Sequence, residues 1–224
     1  MDRRALLQRS QWLMAFAMPA FAPGKEETWT RMAKAAAREK DSGQFVKVIS
    51  ERVTSSDDLE AEFNRLSMGP YRRVVSPYET IWAGTKSINT RITAVVAWFY
   101  AQVGLAVDPH FNEPADFIGN EMQFLGAVYS LAAEHRRLGQ DEIADGLEKF
   151  AQIFWAEHLG HWASGYFGAV AVNTSVPELF AWAQYTKKRL EALFDGIELT
   201  EIKTGVEKKS SSETIPINVQ QDLS

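Results

Sequence analysis

Four carboxylates lie within residues 108–125, DPHFNEPADFIGNEMQFL, and they are the clearest sign of chemistry in the sequence. They are Asp108, Glu113, Asp116 and Glu121. Such a group can act as a general acid and base, or it can bind a cationic ligand. Glu121 falls in the same helical row as Phe117 and Phe124. Because an acid on an apolar row needs a polar partner, we expect that partner to come from another protein.

Two histidines on one predicted helix, His158 and His161, raise the question of a metal site. They stand three residues apart, whereas the zinc-protease pattern needs histidines four apart. A di-iron bundle needs a glutamate three residues before its histidines. The residues three before the four histidines are Val107, Ala132, Trp155 and His158. The ferritin-type site is therefore excluded, and a core or capping role is the simpler interpretation of His158.

Other catalytic signatures are absent from the sequence. It contains no G-x-S-x-G turn, no G-x-x-x-x-G-K-[ST] phosphate loop and no G-x-G-x-x-G dinucleotide motif. One enzyme hypothesis stays open, in which Asp116 and Glu121 serve as acid and base together with His158 or His161.

Composition narrows the classes of partner. The chain has 224 residues, a formal net charge of −5 and no cysteine, so a nucleic-acid surface, disulfides and thiolate metal sites are not expected. The longest apolar run, residues 94–107, is interrupted by Gln102 and is too short for stable insertion into a membrane.

Apolar residues recur at helical spacing, and no alternating strand pattern appears before residue 197. The sequence therefore predicts an all-α, single-domain bundle of roughly six to ten helices at residues 1–196. Residues 197–224 are rich in Lys, Glu, Ser and Gln and predict a flexible polar tail. The predicted helices are one ending at Pro23, then 26–40, a short one near 45–52, one capped by Ser56 or Asp57, 85–105, 114–138, 141–167, and one from Pro177.

The N-terminus allows two interpretations. The segment DRRALLQ at residues 2–8 is similar to a twin-arginine export signal, which would make the protein an exported helical binding protein that has lost residues 1–22. A first helix is favoured, because Leu6, Leu13 and Ala20 sit at helical spacing and Pro23 disfavours cleavage.

Three blocks occur in a fixed order. They are PYETIW at residues 77–82, EPADFI at residues 113–118 followed by Glu121, and HLGHW at residues 158–162. Together they resemble the TorD/DmsD/NarJ family of molybdoenzyme-specific chaperones, whose blocks read approximately P-P-Y-E-S-x-[YW], E-P-x-D-H and H-L-x-x-W. The resemblance extends from about residue 5 to residue 194. Phe117 stands where the second block often has histidine.

The resemblance implies a cytoplasmic, non-enzymatic chaperone without a cofactor or metal of its own. Its partner would be the catalytic subunit of a molybdopterin-containing oxidoreductase, bound through the twin-arginine signal peptide or as the apo form until cofactor is inserted. The resemblance leaves monomer and homodimer open. A signal peptide presents arginines beside an apolar helix, so carboxylates and aromatic rings around a groove suit it. The expected client-binding residues are Tyr78, Glu79, Trp82, Glu113, Asp116, Phe117, Glu121, His158 and Trp162.

Overall fold

A computed structural model describes residues 1–67, 74–88, 90–108 and 113–200. Its α-helices are α1 (Arg3–Ala17), α2 (Glu26–Ala36), α3 (Gly43–Ser50), α4 (Ser56–Ser67), α5 (Glu79–Trp82), α6 (Arg91–Gln102), α7 (Ile118–Arg137), α8 (Asp141–Phe154), α9 (Gly160–Asn173) and α10 (Pro177–Leu193). These residues contain no β-strand, so the predicted all-α fold is confirmed. No helix among them is long and apolar enough to cross a membrane.

The first helix packs along the central helix α7. Asp2 caps α1 by accepting a hydrogen bond from the backbone N–H of Ala5 at 2.8 Å. Its apolar row, including Leu6 and Leu13, is buried as the helical interpretation predicted. Close contact depends on Gly126 of α7, where a Cβ atom would lie only 3.2 Å from the carbonyl oxygen of Ser10. Residues 3–17 therefore belong to the packed body of the protein.

Helix α7 is buried over most of its girth, and the row of Phe117, Glu121 and Phe124 is fully inside the protein. Its predicted start at Pro114 is wrong, because the helix begins at Ile118. Residues 113–117 form a turn, closed by the N–H of Phe117 donating to the carbonyl of Pro114 at 3.1 Å. Phe117 then takes an extended conformation as the N-cap. The turn belongs to the site described below.

Helices α8 and α9 form one nearly continuous rod, as predicted, joined by a π-helical turn at Trp155–Leu159. A π-turn contains one residue more than an α-helical turn, and it therefore rotates the side chains that follow it. His158 lies in this turn and is buried. The chain later returns to the turn, where the N–H of Thr200 donates to the carbonyl of Ala156 at 3.1 Å.

Two helix starts differ from the prediction. Helix α4 is capped by Ser55, whose Oγ accepts from the N–H of Asp58 at 3.1 Å, rather than by Ser56 or Asp57. Helix α6 begins at Arg91, not near residue 85, because Thr90 forms a capping box there. Residues 201–224 of the tail predicted at 197–224, and also His110, lie outside the described residues.

Candidate functional site

The first two sequence blocks are joined by backbone pairing. Tyr78 and Phe117 form an isolated antiparallel bridge. On either side of it, the N–H of Glu79 donates to the carbonyl of Asp116 at 3.0 Å, and the N–H of Ile118 donates to the carbonyl of Pro77 at 2.9 Å. Residues far apart in the chain are thus held in a fixed register, which explains why α7 cannot start before Ile118.

Asp116 stabilises the start of α5 rather than the start of its own helix. Its Oδ2 accepts a hydrogen bond from the backbone N–H of Thr80 at 3.2 Å, and the side chain is fully buried. The helix predicted at residues 114–138 would have Asp116 in its first turn. Asp116 does lie at the start of a helix, but that helix is α5. The bridge between Tyr78 and Phe117 places the start of α5 beside Asp116.

Glu113 is the second block's accessible carboxylate. It is partly exposed, and its Oε2 accepts a hydrogen bond from the hydroxyl of Tyr78 at 2.8 Å. The amide of Asn120 donates to the carbonyl of Pro114 at 2.8 Å and fixes the turn that carries Glu113. One oxygen of Glu113 therefore has a defined partner at the surface of the block.

The third block reaches the first through His158. Its Nδ1 lies 3.1 Å from both carboxylate oxygens of Glu79, and both side chains are buried. The π-turn presents His158 on this side of the rod. The rings of Phe99 and Phe154 pack around the imidazole, with centroids 5.1 Å and 5.2 Å away. The core interpretation of His158 is confirmed, since its main polar partner lies inside the protein.

Glu121 lies at the centre of the three blocks, and its partners belong to the chain itself. The indole N–H of Trp162 donates to its Oε2 at 3.3 Å. Burial raises the pKa of Glu121 well above its ordinary value, and the nearby charges of Glu79 and Asp116 raise it further. The direction favours a protonated Glu121 that can share its proton with Glu79. The sequence assigned this partner to another protein, and the structure provides it internally.

Tyr100 adds a neutral hydrogen-bond donor beside the buried carboxylates. Burial is the main cause that raises the pKa of Tyr100 well above its ordinary value. The nearby carboxylates of Glu121, Glu79 and Asp116 raise it further. Its hydroxyl donates to the carbonyl of Ala115 at 2.8 Å. Sequence reasoning missed this residue, because an aromatic residue in an apolar helix gives no sign of its distant partner.

The structure thus brings all nine predicted residues together, but it buries seven of them. The buried ones are Tyr78, Glu79, Asp116, Phe117, Glu121, His158 and Trp162. Only Trp82, which is 39% exposed, and Glu113 reach the surface. The indole of Trp82 donates to the carbonyl of Ser76 at 2.8 Å, and its ring lies against Gly165 of α9. We call the seven buried side chains the acid hub.

An open groove of about 510 Å³ borders the acid hub, between α6 on one side and residues 105–107 and 113–115 on the other. Its walls are mostly small or apolar and include Ala97, Tyr100 and Ala115. Glu113 is the one charged side chain among the described residues that line it. Sequence reasoning missed this groove, although the spacing of Ala94, Ala97 and Ala101 on one face of α6 is a signal that could have indicated it. We call this feature the α6 groove.

The metal hypothesis has no support in the described part of the chain. No three His, Cys, Asp or Glu side chains among those residues are arranged to hold an ion. Nε2 of His158 and Nε2 of His161 are buried without a hydrogen-bond partner.

Comparison with known proteins identifies a family and a similar solved structure. Residues 19–167 match the family model described as nitrate reductase delta subunit. The fold is similar to the crystal structure of a candidate redox enzyme maturation protein from Archaeoglobus fulgidus, with a TM-score of 0.56 and 17% sequence identity. That similarity covers 81% of this chain and 93% of the other. No curated protein sequence matches significantly.

Proposed function

Because the chain belongs to the nitrate reductase delta subunit family, as the three sequence blocks predicted, we propose that it is a maturation chaperone for a redox enzyme. Its client is the catalytic subunit of a molybdopterin-containing oxidoreductase. In the cytoplasm it binds the twin-arginine signal peptide or the apo form of that subunit, and it releases the client for export after cofactor insertion. The chaperone performs no chemistry of its own.

The observation that carries this proposal is an open apolar groove beside the joined blocks. The α6 groove holds about 510 Å³, enough for several apolar side chains of a peptide. Trp98, which is 55% exposed, and Val95 are further exposed apolar residues of the same helix, outside the groove lining. Large exposed apolar patches on a water-soluble domain commonly mark binding sites. We assign the apolar run of the signal peptide to this groove.

Glu113 is the residue that we assign to the arginines. It is the one charged side chain among the described residues lining the α6 groove, and it is fixed by Tyr78. A carboxylate can accept two parallel hydrogen bonds from one guanidinium, which a lysine ammonium cannot supply. A partly exposed pair of this kind contributes about 0–1 kcal/mol. We therefore assign to Glu113 the role of setting the register of the bound peptide and the selectivity for arginine.

Apolar contacts dominate the affinity. Each Leu or Phe side chain that the peptide buries contributes roughly 1.5–3 kcal/mol. Several such contacts exceed one ion pair even after the cost of ordering the peptide, and they give about −8 kcal/mol, or micromolar affinity. Tyr100 and Ala115 belong to the groove wall, and the hydrogen bond between them holds the two sides of the groove together.

The competing hypothesis is an acid/base enzyme that uses Asp116 and Glu121 with His158 or His161. Asp116 and Glu121 are fully buried and His158 is 6% exposed. A substrate would have to enter the core to reach them, whereas a peptide meets the α6 groove directly. The exposure of these groups therefore favours a binding protein over an enzyme.

Glu113→Gln is expected to weaken binding of a twin-arginine signal peptide roughly two- to fivefold, the usual range for an exposed ion pair. The preference for this peptide over its twin-lysine version should also shrink, because an amide cannot form a charge-assisted pair with guanidinium. The amide oxygen of the glutamine can still accept the hydrogen bond from the Tyr78 hydroxyl, so the turn at residues 113–117 should be retained. Fluorescence anisotropy with both labelled peptides measures the two affinities.

The matched control is Glu142→Gln, which removes an exposed carboxylate in the first turn of α8, away from the α6 groove. This variant should bind both peptides as the parent does. If Glu113→Gln and Glu142→Gln have equal effects, or if both peptides lose affinity equally, direct recognition of arginine by Glu113 is wrong.

A further inference from the structure

A second surface, formed by α1, α3, α10 and the segment after α2, has charge opposite to that of the α6 groove. We infer that this surface docks a polypeptide segment that is acidic at one end and apolar at the other. The inference does not depend on the proposed function, since it concerns other residues and a ligand of opposite charge.

Three grooves form this surface, and each shares residues with the next. An apolar groove of about 490 Å³ lies between α3 and α10. Tyr185 and Lys188 belong both to it and to a second groove of about 400 Å³. Arg38 belongs both to that second groove and to a third, of about 680 Å³, along α1. A ligand can therefore extend from the apolar end to the α1 end without leaving the surface.

The α1 end is strongly basic although the whole chain carries a net charge of −5. Among the described residues that line the three grooves, cationic side chains outnumber carboxylates. The cations are Arg3, Arg4, Arg38, Lys40, Lys188 and Arg189, and the carboxylates are Glu39 and Asp41. Both carboxylates are engaged, Glu39 by Arg189 at 2.7 Å and Asp41 by Lys188 at 3.7 Å. The remaining cations leave a local positive excess.

Arg3 and Arg4 occupy an unfavourable place for cations. They stand in the first turn of α1, where the helix dipole is positive and where no acidic residue occurs after the cap. Arg4 and Lys40 have no ion-pair partner in the described part of the chain, and Arg3 lies near Glu134, which is already paired with Arg137. An anionic ligand relieves this repulsion.

The α3–α10 end is apolar and concave. Phe45 and Tyr185 stack with their ring centroids 4.7 Å apart and form its floor. Phe180, which is 47% exposed, stands at its edge beside Val176. A concave site accepts the side chains of a peptide, whereas insertion into a lipid surface requires apolar side chains that protrude. The geometry therefore points to an acidic amphipathic peptide segment.

The test uses the full chain and a fluorescein-labelled peptide whose first half carries leucine and phenylalanine and whose second half carries glutamates. We expect saturable binding that weakens with salt. A peptide with lysines in place of the glutamates should not bind this surface. Arg4→Glu combined with Lys40→Glu is expected to weaken binding of the glutamate peptide on the order of tenfold, because two attractive charges become repulsive.

The control pair is Lys25→Glu with Lys149→Glu, which changes the net charge equally at exposed positions that line none of the three grooves. It should bind the glutamate peptide nearly as the parent does. Equal weakening by both pairs would reduce the effect to overall charge and overturn the inference. Neither pair should alter binding of a twin-arginine peptide, so failure here is distinguishable from failure of the α6 groove proposal.

A photo-crosslink identifies the occupant directly. Phe180→benzoylphenylalanine should crosslink to the glutamate peptide, and Arg4→Glu with Lys40→Glu should reduce the yield. Crosslinks that stay within the chain or join two copies, and that the glutamate peptide does not displace, would overturn the inference in favour of self-occupation. Binding to phosphatidylglycerol vesicles that the glutamate peptide does not compete with would overturn it in favour of a membrane surface.

Discussion

Glu121→Ala is expected to destabilise the protein by about 2–4 kcal/mol, whereas Glu121→Gln is expected to leave it folded. Alanine removes the acceptor of the Trp162 indole and leaves a cavity at a fully buried position. Glutamine retains a carbonyl oxygen for Trp162 and offers N–H donors to Glu79. Urea unfolding followed by circular dichroism measures both variants against the parent.

The same pair gives a pH dependence with a defined sign. The pKa of Glu121 is raised in the folded state above its ordinary value of 4.5, so the folded state binds more protons than the unfolded state between these two values. The parent therefore loses stability as pH rises through this window, at most about 1.4 kcal/mol per pH unit. Glu121→Gln cannot titrate, and its stability relative to the parent should increase with pH.

A constant difference between Glu121→Gln and the parent from acidic to alkaline pH would contradict a protonated Glu121. An exposed control, Glu142→Gln, should show no such trend. If Glu121→Ala unfolded at the same urea concentration as Glu121→Gln, the hydrogen bonds of the acid hub would contribute little to stability.

Phe117→Ala is expected to destabilise the protein by about 3–5 kcal/mol, the usual cost of deleting a fully buried phenylalanine ring. The ring packs against Phe21 and Tyr78, with centroids 5.3 Å and 5.8 Å away. It also sits in the bridge that joins the first two sequence blocks. Its loss should therefore weaken both the core and the register of the site.

Phe117→His tests the departure from the family pattern. An imidazole would enter a fully buried site whose described contacts are aromatic, so we expect it to destabilise by roughly 2–4 kcal/mol. Phe117→Leu retains apolar volume and should cost less than Phe117→Ala. If the histidine variant were as stable as the parent, the aromatic environment would not explain why this chain carries phenylalanine. Thermal unfolding at neutral pH ranks the three variants.

The helical architecture follows from local sequence signals. The Leu6 and Leu13 spacing predicted the first helix, and the recurrence of apolar residues at helical spacing predicted the all-α bundle. Family resemblance brought together blocks that lie far apart in the chain. These predictions depend on periodicity and short motifs, which are readable in one sequence.

The exposure of the site could not be predicted in the same way. Glu121 was recognised as an acid that needs a partner, but Trp162 lies 41 residues away and nothing local identifies it. The start of α7 at Ile118 depends on the pairing of Phe117 with Tyr78, a tertiary contact that overrides the helix-start signal at Pro114. The α6 groove arises from the packing of two segments, and sequence spacing shows only one of its walls.

Hydrogen exchange of the full chain, with and without a saturating twin-arginine signal peptide, tests the central claim most directly. The account predicts that the peptide slows exchange in α6 and in residues 113–117, where the α6 groove lies, and leaves α3 and α10 unchanged. No change anywhere, or protection confined to α3 and α10, would contradict the claim that this chaperone receives its client in the groove beside the acid hub.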